Sequence, residues 1–374
     1  MSRPPLVGAA LIVRDEAAML GPCLASLQGL VDEIVVVDTG SVDDTVAIAT
    51  SYGARVVHHP WTDDFAAARN VALEHVTAEW VLYIDADERV IDGDRTALES
   101  ALTATDAVAF RVWLRPSLDS TPYREYRVWR NDPRIRFEGV IHEQVVSAIH
   151  EVADTDGATV ELLDLFLQHV GYEGDQTRKH HRNLPLLRVR LEQQPDNLFV
   201  HHHLARVLDG LDRADEAEAV LVGALEVARR TGHPYGALVY TDLVVRRRAR
   251  AEPVTELLAE GRRVHPDNLV LAYLEGDDLI DHERYDEAAA CFERILSTDT
   301  SRLPPDSPSY EERLFGDLTL ERLALALFRA GRYAESAAAY AAAEAADPAR
   351  PEYAIKRQLA ERRAASGGGA QPFG

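Results

Sequence analysis

Lysine is nearly missing from this chain: of 374 residues only Lys179 and Lys356 are lysines, and the remaining basic residues are arginines. Positive charge as a whole is short, 40 basic residues against 62 acidic ones, for a formal net charge of −22. That balance argues against a nucleic-acid or anionic-membrane partner, because both demand a basic face. With so much Ala and Val, the arginine bias looks like the codon usage of a GC-rich bacterial genome, which speaks of origin and not of function. Cysteine is scarce too. Cys23 and Cys291 stand far apart, in what read as separate domains, so reduced thiols are expected and not a disulfide. Long apolar runs are missing: residues 6–13 are too few to span a membrane and lack a signal-peptide layout. A cytoplasmic protein is expected. No Gly-x-Gly-x-x-Gly or Walker-type loop occurs, which disfavours dehydrogenases and kinases, and there is no Gly-x-Ser-x-Gly elbow.

What is present is enough for real cores, 46% apolar residues, in a chain long enough for two domains. The first part alternates strand and helix signals: strands at 6–13, 33–38, 54–58 and the run ending at Asp85, with helices at 16–27, 43–51 and 64–75. This alternation predicts a parallel sheet covered on both faces. From residue 107 to about 167 the pattern turns to strand-like pieces (AVAFRVWL, YREYRVWR, IRFEGV, TVELLDLFL), read as a mixed extension of the sheet.

Beyond residue 175 the chain becomes helical and repeats itself. Arg213-Ala214-Asp215-Glu216-Ala217 returns as Arg284-Tyr285-Asp286-Glu287-Ala288, and Pro195-Asp196-Asn197 as Pro266-Asp267-Asn268, both at an offset of 71. That is close to twice a period of about 34, as in tetratricopeptide hairpins. Gly331-Arg332-Tyr333-Ala334-Glu335 follows Tyr285 at a spacing of 48, the excess matching a Pro/Ser-rich insertion around 302–309. The expected layout is an α/β domain over 1–174, an all-α repeat domain over 175–365 and a Gly-rich disordered tail over 366–374.

The stretch Trp80-Val81-Leu82-Tyr83-Ile84-Asp85-Ala86-Asp87-Glu88 carries the most chemistry. A short apolar run empties into an Asp-x-Asp pair, so the carboxylates sit at the carboxyl edge of the sheet, where open α/β sheets bind ligands. Paired hard oxygens suit Mg²⁺ or Mn²⁺ holding a diphosphate; taken alone, the pair suits a helix cap or solvated turn as well. Asp38 ends another strand at the same edge, placed to accept the imide N–H of a pyrimidine ring. Its Thr39-Gly40-Ser41 sequel reads equally as a plain turn.

Together IVRDEAAMLGPCLASL, EIVVVDTGSVDDT, WTDDFAAARN and WVLYIDADE resemble successive blocks of family 2 nucleotide-sugar glycosyltransferases with an A-type fold. The resemblance is to the bacterial subgroup with C-terminal tetratricopeptide repeats, which includes peptide S- and O-glycosyltransferases, and it covers roughly the first 170 residues. It implies a metal-dependent, inverting transfer from a UDP- or dTDP-linked sugar. It implies Asp38 and Arg69 at the base, the Val13 backbone lining the base pocket, and Glu16 in the family's acidic run. Asp15 stands there where Asn is usual. Asp87 is implied as a direct metal ligand, with Asp85 on ribose or a metal-bound water. Arg69-Asn70 could equally anchor helix to sheet.

Phe137-Glu138-Gly139-Val140-Ile141-His142-Glu143 resembles the subgroup's GxIHE block and His169-Val170-Gly171-Tyr172 its HxGY block. They make Glu143 the candidate general base, His142 its orienter or an acceptor contact, and His169 a further metal or diphosphate ligand; a structural histidine fits either place. His201-His202-His203 cannot converge on a metal, since successive helical residues point about 100° apart. His58-His59 reads as structural, and Asp63-Asp64 as a helix cap. The acceptor stays open between a peptide or protein side chain and a small molecule or glycan. The repeats suit peptide holding or a homodimer. An inactive transferase-like scaffold and a sugar nucleotidyltransferase are the competing classes; the latter commonly has a Gly-rich basic loop that Val13-Arg14-Asp15-Glu16 is not.

Overall fold

The computed structural model describes residues 4–170, 177–305 and 307–366. The chain divides into two compact units, Met1–Gln194 with Pro304–Ser309, and Pro195–Leu303 with Tyr310–Gly374. In the first unit β1 (Val7–Val13), α1 (Ala17–Leu27), β2 (Glu33–Asp38), α2 (Thr45–Ser51), β3 (Arg55–His58), α3 (Phe65–His75) and β4 (Trp80–Tyr83) follow the order expected from sequence. Then come β5 (Glu88–Asp92), α4 (Arg95–Thr103), β6 (Ala107–Arg115), β7 (Tyr123–Arg130), α5 (Val146–Asp156), β8 (Thr159–His169) and α6 (Thr177–Gln193).

The eight strands form one sheet in the order β3-β2-β1-β4-β7-β6-β8-β5. The first four are parallel neighbours, β7 runs antiparallel to both β4 and β6, and β8 is parallel to β6 and antiparallel to β5. Strands buried on both faces have no polar side, and β1 shows the consequence. Leu11 and Val13 pack with Leu20, Leu24 and Leu27 of α1, whereas Ala10 lies with Ala72 and Leu73 of α3 and with Ile149 and Val152 of α5. Because the chain winds outward from β1 through β2 to β3 and then returns to β4 on the other side, the topological switch falls between β1 and β4. A crevice is expected at their carboxyl ends.

Three expectations need correction. IRFEGV (135–140) is not a strand: it contributes one isolated bridge, Glu138 to Gln144, because Gly139 turns at φ +99°. An ideal Cβ on Gly139 would fall 1.0 Å from Arg190 Nη1, so the α6 guanidinium fills the space of the missing side chain. That seating also puts α6 in the first unit, and the division falls at Gln194, not at residue 174. The helix α5 and strand β5 were not anticipated. Ile149, Val152 and Ala153 have helical spacing within a stretch read as strand, and β5 carries a register shift that breaks its alternation.

The second unit is all-helical, with α7 (Leu198–Asp209), α8 (Ala214–Thr231), α9 (Gly236–Ala249), α10 (Thr255–Val264), α11 (Leu269–Asp281), α12 (Tyr285–Leu296), α13 (Asp317–Arg329), α14 (Tyr333–Ala346) and α15 (Pro351–Ala365). The sequence repeat is a repeat of helix starts. Asn197 caps α7 by accepting from the Val200 N–H, and Asn268 caps α11 by accepting from the Leu271 N–H. Arg213, Arg284 and Arg332 each stand just before a second helix and pair with the glutamate three residues on, Glu216, Glu287 and Glu335. Each follows a left-handed residue, Asp212, Glu283 or Gly331. The expected α/β domain followed by tetratricopeptide-like helical hairpins therefore holds. Residues 367–374 of the anticipated tail lie outside the described residues. Among the described residues no helix is long and apolar enough to cross a membrane.

Candidate active site

The carboxyl ends of β1, β2 and β3 lie in register at Val13, Asp38 and His58. The Val13 carbonyl accepts both the N–H and the hydroxyl of Thr39, at 3.0 and 3.1 Å. Asp38 is buried; its Oδ1 accepts the Ser41 N–H at 3.0 Å, and its Oδ2 lies 3.2 Å from His58 Nδ1. Burial raises its pKa, but the bonds from Ser41, His58 and Gly40 outweigh this and hold it below the ordinary value. The loops after β1 and β2 are stitched together. The Asp15 N–H donates to Ser41 Oγ, Asp15 Oδ1 accepts the Val42 N–H, the Glu16 N–H donates to Thr45 Oγ1, and the Ala17 N–H donates to Asp43 Oδ2. Asp15 sits at φ +56°, a conformation that Asp and Asn tolerate best among residues with a side chain, which accounts for an aspartate where asparagine is usual.

Beyond β4 the Asp-x-Asp pair splits into two environments. Asp85 turns inward: Oδ1 lies 3.0 Å from Arg69 Nη1, and Oδ2 accepts the Tyr83 hydroxyl at 3.0 Å. Burial pushes the Asp85 carboxyl up; Arg69 and Arg127 reverse that and leave it below the usual range. Its backbone is held as well, the N–H donating to Glu88 Oε2 at 2.9 Å, while Arg127 grips Glu88 with two bonds at 3.1 and 2.7 Å. The guanidinium carbons of Arg69 and Arg127 lie 4.3 and 4.5 Å from the Tyr83 ring centroid, so the ring is favourably placed for both cations. Glu88, Tyr83 and Arg127 were not singled out from sequence. The signal available was that Arg127 falls on the alternating face of YREYRVWR that a buried strand must hide.

Asp87 is only partly covered, its side chain 25% exposed. Its Oδ2 lies 3.0 Å from His169 Nε2, and its carbonyl accepts the Val170 N–H at 2.8 Å, where the end of β8 meets β5. Glu16 lies in the same field: burial first, then Asp87 and Asp85, raise its carboxyl to about 7 against the lowering effect of Lys179 and Arg182 on α6. Among the described residues no group of three or more His, Cys, Asp or Glu side chains is arranged to hold a metal ion. Asp87 with His169 nonetheless makes a carboxylate–imidazole donor pair that fits Mn²⁺ or Mg²⁺ when diphosphate oxygens and water complete the shell.

The structure thus brings Asp87 and His169 together, while the Asp85 oxygens are turned to Arg69 and Tyr83. Arg69, expected at the base beside Asp38, is instead ion-paired with Asp85 and Glu143 and buried. Asn70 next to it clamps the Phe137 backbone, donating to its carbonyl at 2.9 Å and accepting its N–H at 2.8 Å. Arg69-Asn70 thus makes the contacts that the anchoring reading calls for. Glu143, the candidate general base, is the partner of Arg69 with its side chain only 9% exposed. His142 beside it is strained, at φ +48°. Of the HxGY block, Gly171 and Tyr172 lie outside the described residues. Asp64 caps α3 as expected. The three consecutive histidines diverge: His201 bonds the Pro195 carbonyl, His202 pairs with Asp242, and His203 packs on Phe199.

Residues 9–150 match the model of Glycosyl transferase family 2. A TPR repeat-containing protein of Synechococcus elongatus is 49% identical over 142 residues, covering 37% of this chain and 35% of that protein. The SPbeta prophage-derived glycosyltransferase SunS of Bacillus subtilis is 26% identical over 225 residues, covering 58% of this chain and 52% of that one. The chain thus spans only a third to a half of the length of these relatives. Among solved structures, the mannosyltransferase PcManGT of Pyrobaculum calidifontis, in complex with GDP-Man and Mn²⁺, is similar at 18% identity and a TM-score of 0.38, covering 65% of this chain and 81% of that one.

Proposed function

We propose that this chain, whose residues 9–150 form a glycosyl transferase family 2 domain, transfers a sugar from a nucleoside-diphosphate sugar to an acceptor nucleophile. The observation that carries the reading is the meeting of Asp87, His169, Glu16 and the inward-held Asp85 at the carboxyl edge beside the β1–β4 switch. The base end of the donor lies toward Asp38 and the diphosphate toward Asp87. Asp87 and His169 would hold the divalent ion, which as a Lewis acid stabilises the leaving diphosphate. Arg69, Tyr83, Glu88 and Arg127 hold the Asp85–Asp87 turn so that Asp87 presents its carboxylate without reorganising.

In the reaction the acceptor atom forms a bond to the anomeric carbon as the bond to the diphosphate oxygen breaks, which inverts that carbon; the acceptor gives up its proton to a base, for which Glu143 is the candidate, and the nucleoside diphosphate leaves. Arg69 holds the Glu143 carboxylate in place. The acceptor is a peptide or protein side chain, or a small molecule or glycan. Thermal melts with UDP-, dTDP- and GDP-sugars in Mn²⁺ or Mg²⁺ test the donor. A good donor at a hundredfold excess over Kd stabilises by about 2.7 kcal/mol. Asp87→Ala is expected to abolish both the metal-dependent shift and donor-sugar hydrolysis. Failure of every sugar nucleotide to shift the melt would refute the proposal. Glu143→Gln is expected to slow turnover at unchanged donor affinity, and unchanged turnover would remove the base role.

A further inference from the structure

The turn that carries Asp85 and Asp87 lies between the end of β4 at Tyr83 and the start of β5 at Glu88, so the sheet ladder alone does not satisfy its carbonyls. The Asp85 carbonyl accepts the Glu88 N–H at 3.0 Å and the Cys23 thiol at 3.4 Å, and the Asp87 carbonyl accepts the Val170 N–H at 2.8 Å. The carbonyls on either side of Asp87 converge on one side chain. Arg89 Nη1 donates to the Ala86 carbonyl at 2.8 Å and to the Glu88 carbonyl at 2.6 Å, while Nη2 donates to the Met19 carbonyl of α1 at 2.7 Å. All three bonds go to main-chain oxygens, so the planar fork is used for its geometry. The next residue is tied to the same helix, the Val90 N–H donating to Ser26 Oγ at 3.1 Å. β5 in turn sets Glu88 opposite His169 at the end of β8. Helix α1, the turn and His169 are therefore joined through Arg89 and β5.

We infer that Arg89 is the positioning residue of the metal end: it grips the carbonyls flanking Asp87, ties them to α1, and so holds the Asp87 carboxylate against His169 Nε2. The inference rests on the proposed donor chemistry and assigns a residue to that same site. The fork does this and the charge opposes it. A guanidinium beside a divalent-ion site repels the ion, whereas fixing the ligand-bearing turn spares the ion the cost of ordering it. Positioning and charge therefore pull Mn²⁺ affinity in opposite directions, and the sign of the change on removing Arg89 tells them apart. Lysine keeps the charge, but its ammonium has no planar fork to span three carbonyls.

The test is titration of the full chain with Mn²⁺ alone, read as loss of the free-ion EPR signal at a temperature well below each variant's melt. Wild type is expected to bind Mn²⁺ and Asp87→Ala to lose that binding. Arg89→Met and Arg89→Lys are each expected to weaken Mn²⁺ about tenfold, the lower end of what substitutions behind a metal ligand cost. Arg89→Met that binds Mn²⁺ as well as wild type, or more tightly, overturns the inference. Arg89→Lys at wild-type affinity overturns it too, by making charge sufficient, and carries the test if Arg89→Met does not fold. A lowered melt with unchanged Mn²⁺ affinity places Arg89 in the scaffold and likewise overturns it. In these three outcomes the donor proposal stands, because Asp87→Ala still separates from wild type. Wild type and Asp87→Ala that behave alike remove the metal role of Asp87 and this inference together.

Discussion

Replacing Arg69 by methionine keeps most of the side-chain volume and removes one buried charge that two carboxylates share. In the wild type the guanidinium lies 3.0 Å from Asp85, is hydrogen-bonded to Glu143, and has a side chain only 9% exposed. Breaking a buried pair by deleting one partner costs about 3–5 kcal/mol, because the other charge stays behind without compensation. Asp85 retains the Tyr83 hydroxyl and is 30% exposed, so water relieves part of its share; Glu143 at 9% has less relief. The stranded carboxylates can also escape by binding protons. Per group that escape costs roughly 1.4 kcal/mol for each pH unit above the ordinary carboxylate range, which caps the penalty. The sign follows. In the variant the folded state binds a proton that the unfolded chain has released, so stability falls as pH rises above about 4.5. Urea melts of Arg69→Met should therefore show a loss of about 4 kcal/mol at pH 7.5, shrinking by about 1 kcal/mol or more at pH 5.5. Glu143→Gln in the Arg69→Met background should recover part of the loss. A deficit under 1 kcal/mol, or one that does not change with pH, would refute the account of Arg69 as the shared counter-charge.

Glu16 titrates the opposite way from a salt-bridged carboxylate: its pKa is raised from 4.5 to about 7, so its contribution to stability falls as pH climbs through that window. Glu16→Gln should match wild type at pH 4 and, after discounting for its partial exposure, exceed it by about 1 kcal/mol at pH 8 in urea melts. Gly139→Ala places a Cβ on the Arg190 guanidinium at a positive φ, and should cost about 2 kcal/mol, with faster proteolysis at α6; an unchanged melt would show that Arg190 yields freely. Asn197→Ala and Asn268→Ala remove equivalent caps, so each should cost about 1 kcal/mol in thermal melts, and a large disparity would deny their equivalence.

The strand and helix order of residues 7–83 was legible because doubly buried strands write themselves as short apolar runs ended by polar turns. Strand β5 and helix α5 were not, since the first is an edge strand with a register shift and the second hides its spacing among β-branched residues. At the site, type and place were readable but partnership was not. Asp38, Asp85 and Asp87 lie at the edge where the strand ends predict. Which carboxylate Arg69 serves depends on Glu143, 74 residues away, and on a loop turned by Gly139. That His58 stands against Asp38 was not readable either, because two adjacent histidines say nothing of register and only pairing with β2 sets one of them there.

The Arg-to-Glu clasps at the helix starts carry a consequence for how the repeat unit tolerates change. Three hairpins, those whose second helices are α8, α12 and α14, hold the same start signal, a left-handed residue followed by a clasp, whereas α10 starts after Val254. Lengthening a connection then adds only loop-closure entropy, about 0.6 kcal/mol for each doubling. The connection between α12 and α13 is such a lengthening, and α13 and α14 form beyond it all the same. The unit is modular in the engineer's sense at its connections, which can be respaced, but not in its core, which Ala272, Phe292, Leu327 and Tyr340 share across hairpins.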